Sequence, residues 1–236
     1  MEPGPHDLIR PGASLTELAA AAQQCHGCDL WRDATQAVFG EGPPEAPLKA
    51  PDAVSPPVVL VGEQPGNVED KQGHPFVGPA GLMLRSCMAE AGLAEDQVWM
   101  TNVVKHFRWK PGTQKQGKRR IHRTPTTEQV RACRPWLDAE LERLRPDIVV
   151  CLGAVAAQSL INRDFRVSQD RGKLMAGPYG LSLPEGDPVL VLATVHPSSL
   201  LRAPDDKARL KARADFVADL QVVVRHLAGH ARAASA

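Results

Sequence analysis

Four of the five cysteines carry the first chemical signal in this chain. Cys25-His26-Gly27-Cys28 is a CxxC pair, and Cys133 and Cys151 are separated by 17 residues. Four thiolates suit either zinc or an iron–sulfur cluster; two tight CxxC knuckles would favour zinc, and here one pair is widely split. Unligated thiols buried in a core are the competing reading of the same spacing. Cys87 lies at helical spacing among apolar neighbours in residues 82–93 and reads as core.

The second signal is charge. Lys105, Arg108, Lys110, Lys115, Lys118, Arg119, Arg120 and Arg123 fall within 19 residues that contain no acidic group. The whole chain has a net charge of +1, so the remainder is net acidic and this segment is a local positive patch. Such a patch suits a polyanion, although a run of like charges is also an ordinary solvated loop. Phe107 and Trp109 interleave with the cations as on a strand-binding surface, where rings stack on bases while Arg and Lys hold phosphates.

These groups need a scaffold, and 236 residues with 43% hydrophobic and 23% charged content are enough to bury one sizeable core. One domain spanning 1–236 is the expectation, with the first ~12 and last ~8 residues flexible. No apolar run approaches the roughly 18 residues of a membrane span, and MEPGPHDLIRPG lacks the apolar stretch of a secretory signal. A cytoplasmic location and no membrane partner are expected. Ser14 caps a helix over 14–24, with Glu17 three residues on, and this helix delivers Cys25 and Cys28. Residues 40–57 are too rich in proline for a helix or strand and read as a loop.

Unbroken β-branched runs at 58–62, 99–104, 147–153 and 189–195 have the character of strands buried on both faces. Helical patterns over 79–91, 127–144, 154–161 and 205–227 alternate with them. The expected fold class is therefore α/β: a three-layer α/β/α arrangement around a central, mostly parallel four-stranded sheet. In such sheets the ligand site lies beyond the carboxyl ends of the strands. Those ends are polar here: Gly62-Glu63-Gln64-Pro65-Gly66 after the first strand, Asn102 and then the basic loop after the second, His196-Pro197-Ser198-Ser199 after the last.

GEQPG at 62–66, the following Glu69-Asp70 with GHPFVGPAG at 73–81, TNVVK at 101–105, the CxxC with its distant cysteine pair, and HPSSLLR at 196–202 resemble the family-four uracil-DNA glycosylases. The motifs fall in order from Cys25 to Arg202 and cover most of the chain. Lys118-Arg119-Arg120-Ile121-His122 further resembles the KRRIH insertion of the UdgX subgroup, whose members attach covalently to uracil-containing DNA; ordinary family-four enzymes lack it. The proline-rich stretch at 43–57 and the terminal extensions depart from shorter relatives and inherit nothing. The resemblance implies a uracil-DNA glycosylase-like fold and a structural [4Fe-4S] cluster held by Cys25, Cys28, Cys133 and Cys151.

It also implies roles at the strand ends. Phe76 resembles the ring on which a flipped base stacks. Asn102 can offer an amide oxygen to uracil N3–H and an amide N–H to O4, a pairing that cytosine does not satisfy. His196 resembles the residue that bonds uracil O2, where negative charge develops. Ser198, Ser199 and Arg202 suit phosphate, as do Lys118, Arg119 and Arg120. The glycines around Glu63 let the backbone amides of Gly62, Gln64 and Gly66 approach the ligand, while the carboxylate orients and deprotonates a neighbouring imidazole. That imidazole is His122, which would capture the sugar C1′ in place of water. The expected protein thus excises uracil and traps itself on the abasic site, acting once, as a monomer, with uracil-containing and preferably single-stranded DNA as partner and no nucleotide cofactor. A turnover glycosylase using water activated by Glu63 is the alternative enzyme, and a non-catalytic iron–sulfur DNA-binding module the alternative from another class.

Overall fold

A computed structural model describes residues 2–43, 57–112, 120–177 and 189–233. Its strands are β1 (Val58–Gly62), β2 (Val98–Asn102), β3 (Trp109–Pro111), β4 (Arg120–His122), β5 (Ile148–Leu152), β6 (Leu174–Ala176) and β7 (Leu190–Thr194). The helices are α1 (Pro5–Leu8), α2 (Leu15–Ala22), α3 (Asn67–Gln72), α4 (Pro79–Ala91), α5 (Thr127–Leu144), α6 (Ala154–Leu160), α7 (Val167–Asp170), α8 (Pro197–Leu200) and α9 (Asp206–Ala233).

Strands β1, β2 and β5 are buried along their whole length, as β-branched runs without polar alternation require. Their side chains alternate between two cores. Val59, Val61, Val149, Cys151, Val191 and Ala193 pack against α2, α5 and α6. Val58, Leu60, Ile148, Val150, Leu152 and Leu192 pack against α4, α8 and α9. The result is the expected three-layer α/β/α stack, with sheet order β2-β1-β5-β7-β6. The first four of these strands are parallel. The crossover after β1 runs through α4 on one face and that after β2 runs through α5 on the other, so the chain changes direction at β1, where a ligand crevice is expected.

The structure departs from the sequence expectation in several places. The sheet has five strands, because β6 adds an antiparallel edge against β7. Three residues with one exposed are too short and too mixed to read as a buried run. The first residues, expected to be flexible, form α1; Pro5 is buried and the Pro3 carbonyl accepts a hydrogen bond from the His26 amide (2.8 Å). The closing helix continues past residue 227 to Ala233. The Ser14 cap is formed as expected, with Glu17 returning a bond to the Ser14 amide (2.8 Å). Among the described residues no helix is long and apolar enough to cross a membrane. The proline-rich loop lies mostly outside the described residues.

Candidate active site

The carboxyl ends of β1, β2 and β7 open into one cavity of about 630 Å³. Glu63, Gln64, Gly66, Phe76, Asn102, His122, His196, Ser198 and Arg202 all line it, so the separated polar clusters of the sequence converge on one site. Gly62 lies beneath its floor. A methyl group there would collide with Asn102 Oδ1 and come within 2.7 Å of Phe76 Cζ, so Gly62 gives the amide and the ring their places. Phe76 has a positive φ of 54°, and Gly81 leaves room for its carbonyl. A non-glycine residue in this region carries strain of order 1–3 kcal/mol, held here by α4. The Phe76 and His196 rings are nearly parallel, 26° apart in plane and 6.4 Å between centroids.

His196 sits immediately before α8. Its Nδ1 accepts from the Ser198 amide (3.2 Å) and lies 2.8 Å from Ser198 Oγ. That bond leaves the proton on Nε2, available to the cavity. Arg202 donates to Ser198 Oγ (3.1 Å), and the Ser199 hydroxyl donates to the His196 carbonyl (2.8 Å), so Ser199 caps the turn.

His122 reaches the cavity on a ribbon that the sequence did not reveal. Strands β3 and β4 pair antiparallel, with Trp109 opposite His122. Gln64 clasps this ribbon: its Nε2 donates to the carbonyls of Arg108 (3.1 Å) and Arg123 (3.2 Å), and its Oε1 accepts from the Arg108 amide (3.0 Å). The Gln64 side chain is thus spent on positioning His122. The His122 Nε2 lies 3.5 Å from Glu63 Oε1, and that oxygen is buried without a hydrogen-bond partner. Burial pushes Glu63 above the ordinary glutamate value, with the Thr124 hydroxyl and Arg202 opposing. Burial and, secondarily, Arg202 pull His122 below the ordinary histidine value. Both shifts favour a neutral imidazole beside a carboxylate that is a stronger base than usual. Thr124 was not anticipated: it lies two residues after His122, and no motif singles it out.

Four of the basic and aromatic assignments need correction. Arg120 was expected on DNA phosphate; instead its Nη1 pairs with the fully buried Asp70 (2.6 Å) and its Nε donates to Asn67 Oδ1 (2.8 Å). Its guanidinium also lies 5.4 Å from the ring centroids of Phe107 and Trp109. Phe107 is core, and Trp109 donates to the Asp33 carbonyl (2.9 Å). Lys105 is buried as well, against Glu140. Lys118 and Arg119 fall outside the described residues.

Of the four expected ligand cysteines, Cys25, Cys28 and Cys133 line one small cavity of about 10 Å³ between the CxxC loop and α5. The Trp136 indole donates to Cys25 Sγ (3.3 Å) and the Lys105 amide to Cys133 Sγ (3.2 Å). Cys151 does not line this cavity; its place on β5, paired with Val61 and Ala193, puts it in the core layer beneath. Among the described residues no three His, Cys, Asp or Glu side chains form a metal-binding group. Burial pushes Cys133 and Cys151 up to about 12, so both are thiols at neutral pH. Two sulfurs already receiving N–H donors is nonetheless the donor chemistry that stabilises metal-bound thiolate. Cys87 is fully buried on α4, as expected of a core residue.

Burial lowers His106 and His196 to about 4. The unfolded chain then takes up protons first as the pH falls below 6.5, so the folded state loses stability between 6.5 and 4, at most about 3 kcal/mol for each histidine. Urea unfolding at about pH 7 and about pH 4.5 checks this, with the lower midpoint expected in acid.

Residues 49–221 match a family model described as the uracil DNA glycosylase superfamily. A Type-4 uracil-DNA glycosylase of Archaeoglobus fulgidus is 34% identical over 207 residues, covering 86% of this chain and 90% of that protein. Proteins of the same name from Sulfurisphaera tokodaii and Thermotoga maritima are each 33% identical, covering 81% and 79% of this chain and 78% and 83% of their own.

Proposed function

The chain belongs to the uracil-DNA glycosylase superfamily, and we propose that, beyond excising uracil from DNA, it captures the resulting abasic C1′ covalently on His122. The observation that carries this reading is the buried, unpartnered Glu63 Oε1 standing 3.5 Å from His122 Nε2 inside the cavity.

The flipped uracil stacks on Phe76 and pairs N3–H and O4 with the Asn102 amide. As the C1′–N1 bond breaks, its electron pair passes to the uracil ring, and His196 donates Nε2–H to the O2 on which charge gathers. The sugar is left as an oxocarbenium ion. His122 Nδ1, the ring nitrogen without a proton, forms the bond to C1′ while the proton on Nε2 passes to Glu63 Oε1, so the imidazole ends neutral and the carboxylate protonated. Ser198 and Arg202 present a hydroxyl and a cation to the adjacent phosphate; Lys118 and Arg119 serve the same strand. A [4Fe-4S] cluster on Cys25, Cys28, Cys133 and Cys151 would supply a covalent tie between the N-terminal segment, α5 and β5. The cysteines themselves sit one layer away from the reacting groups.

Capture requires ionised Glu63 and neutral His122, so its rate rises with pH and is lost on acidification as those two groups take up protons. A quenched time course from about pH 4 to about pH 8 reads this directly. Glu63→Gln keeps the shape of the pocket but removes the proton acceptor, and capture should slow by about 100- to 1000-fold with DNA binding retained.

The functional test mixes the protein with a labelled single-stranded oligonucleotide carrying one uracil and resolves the products on a denaturing gel. Label that migrates with protein at one to one supports capture. Abasic oligonucleotide in excess over protein selects the turnover reading, in which water activated by Glu63 wins. Free oligonucleotide that resists alkali leaves only a DNA-binding module.

A further inference from the structure

Asn102 is the residue on which base choice rests, and the turn that follows it is held by an arrangement the reaction itself does not use. Lys105 folds back beneath the turn. Its ammonium donates to the Asn102 carbonyl (2.8 Å), to Thr101 Oγ1 (2.8 Å) and to Glu140 Oε2, so all three donors are spent. Glu140, on α5, is equally saturated: Oε1 accepts from the Gly40 amide (2.9 Å), the Trp99 indole (3.3 Å) and Thr101 Oγ1 (3.0 Å). Lys105 and Glu140 are 1% and 0% exposed. The Lys105 amide ends on Cys133 Sγ, and its carbonyl accepts from the Val38 amide (2.8 Å).

Stability alone does not account for this pair. Removing two charges from water costs several kcal/mol, and well-packed apolar residues commonly replace a buried ion pair without loss. What an apolar pair could not do is terminate on the main-chain oxygen of Asn102. The Val103 and Val104 amides bond the carbonyls of Gly62 (2.9 Å) and Glu63 (3.1 Å), so the same turn also couples Asn102 to the strand end bearing Glu63. We infer that the buried Lys105–Glu140 pair is a positioning device for uracil recognition, fixing the Asn102 main chain so that its amide meets the base edge in one register. This rests on the reading of Asn102 as the base-edge residue.

The paired substitution Lys105→Met with Glu140→Gln tests it, since the glutamine keeps an acceptor for Gly40, Trp99 and Thr101 and leaves no lone charge. Glu140→Gln alone, which keeps Lys105 but leaves its buried ammonium without a counter-charge, is the second variant, and melting temperature reports folding for both. Each is placed in the native chain and in an Asn102→Ala chain, and single-turnover uracil release is measured with saturating protein. In the native background release should slow on the order of 10- to 100-fold, the scale of a small misplacement at a reacting centre. In the Asn102→Ala background the further loss should stay under about twofold, because the residue being positioned is gone. Oligonucleotide affinity should not move. Equal losses in both backgrounds, or no loss in the native one, overturn the inference and leave the pair a purely structural element. Failure of the native chain itself to release uracil overturns the functional reading and takes this inference with it.

Discussion

Replacing His122 by serine is expected to abolish the denaturant-stable protein–DNA species, lowering adduct yield by at least about 100-fold, while uracil release continues. The side chain is 49% exposed, and its close polar neighbour is Glu63 at 3.5 Å, so its loss costs the fold little. A serine hydroxyl is a poor nucleophile without a base at hydrogen-bond distance, and the volume vacated beside Glu63 admits water. The carboxylate then activates that water, the abasic product dissociates, and product accumulates beyond one equivalent of protein. The measurement is a time course of alkali-labile oligonucleotide against protein concentration. A His122→Ser protein that still forms the adduct in full would remove His122 as the capturing group.

The second large effect is expected at Arg120. Alanine there leaves Asp70, fully buried, with Thr35 as its remaining partner, since the Thr35 amide (2.9 Å) and hydroxyl bond the same carboxylate. Breaking a buried pair from one side costs about 3–5 kcal/mol, to which the lost packing on Phe107 and Trp109 adds. Arg120 opens β4, two residues before His122, so adduct formation should fall along with stability. Lysine should not rescue it, because an ammonium cannot serve Asn67 and Asp70 in the planar geometry of the guanidinium. Urea unfolding and the salt dependence of oligonucleotide binding separate the two roles this residue could have. A phosphate contact would lower the salt slope by about one unit with stability unchanged, whereas an internal strut lowers stability and leaves the slope alone.

Arg120 also marks where sequence reasoning stops. The parallel sheet was legible because Val58–Gly62 and Ile148–Leu152 are apolar on both faces, a pattern that few other structures accept. The site followed from it, since the polar residues after such strands have one crevice to share, and all but Gly62 and Ser199 of the proposed catalytic, base-binding and 196–202 residues line it. Charge, in contrast, says nothing about direction. Lys105 and Arg120 read as members of a cationic surface, yet each finds a buried carboxylate more than 30 residues distant in sequence. The β3–β4 ribbon was hidden for a related reason: three-residue strands carry no periodicity, and their register is set by the distant clasp of Gln64. The fifth strand was lost to the same brevity. The cysteine spacing brought Cys25, Cys28 and Cys133 to one cavity, while the place of Cys151 depends on the register of β5, which spacing cannot express.

The central claim is a bond between His122 and the sugar of an abasic site. Its most direct test is to react the protein with a short uracil-containing oligonucleotide, digest the product with protease and nuclease, and sequence the modified peptide by tandem mass spectrometry. The account predicts a deoxyribose remnant on the peptide containing Ile121-His122, with fragmentation placing the added mass on the imidazole. A remnant on any other residue, or unmodified His122 in a sample that has released its uracil in full, would contradict it.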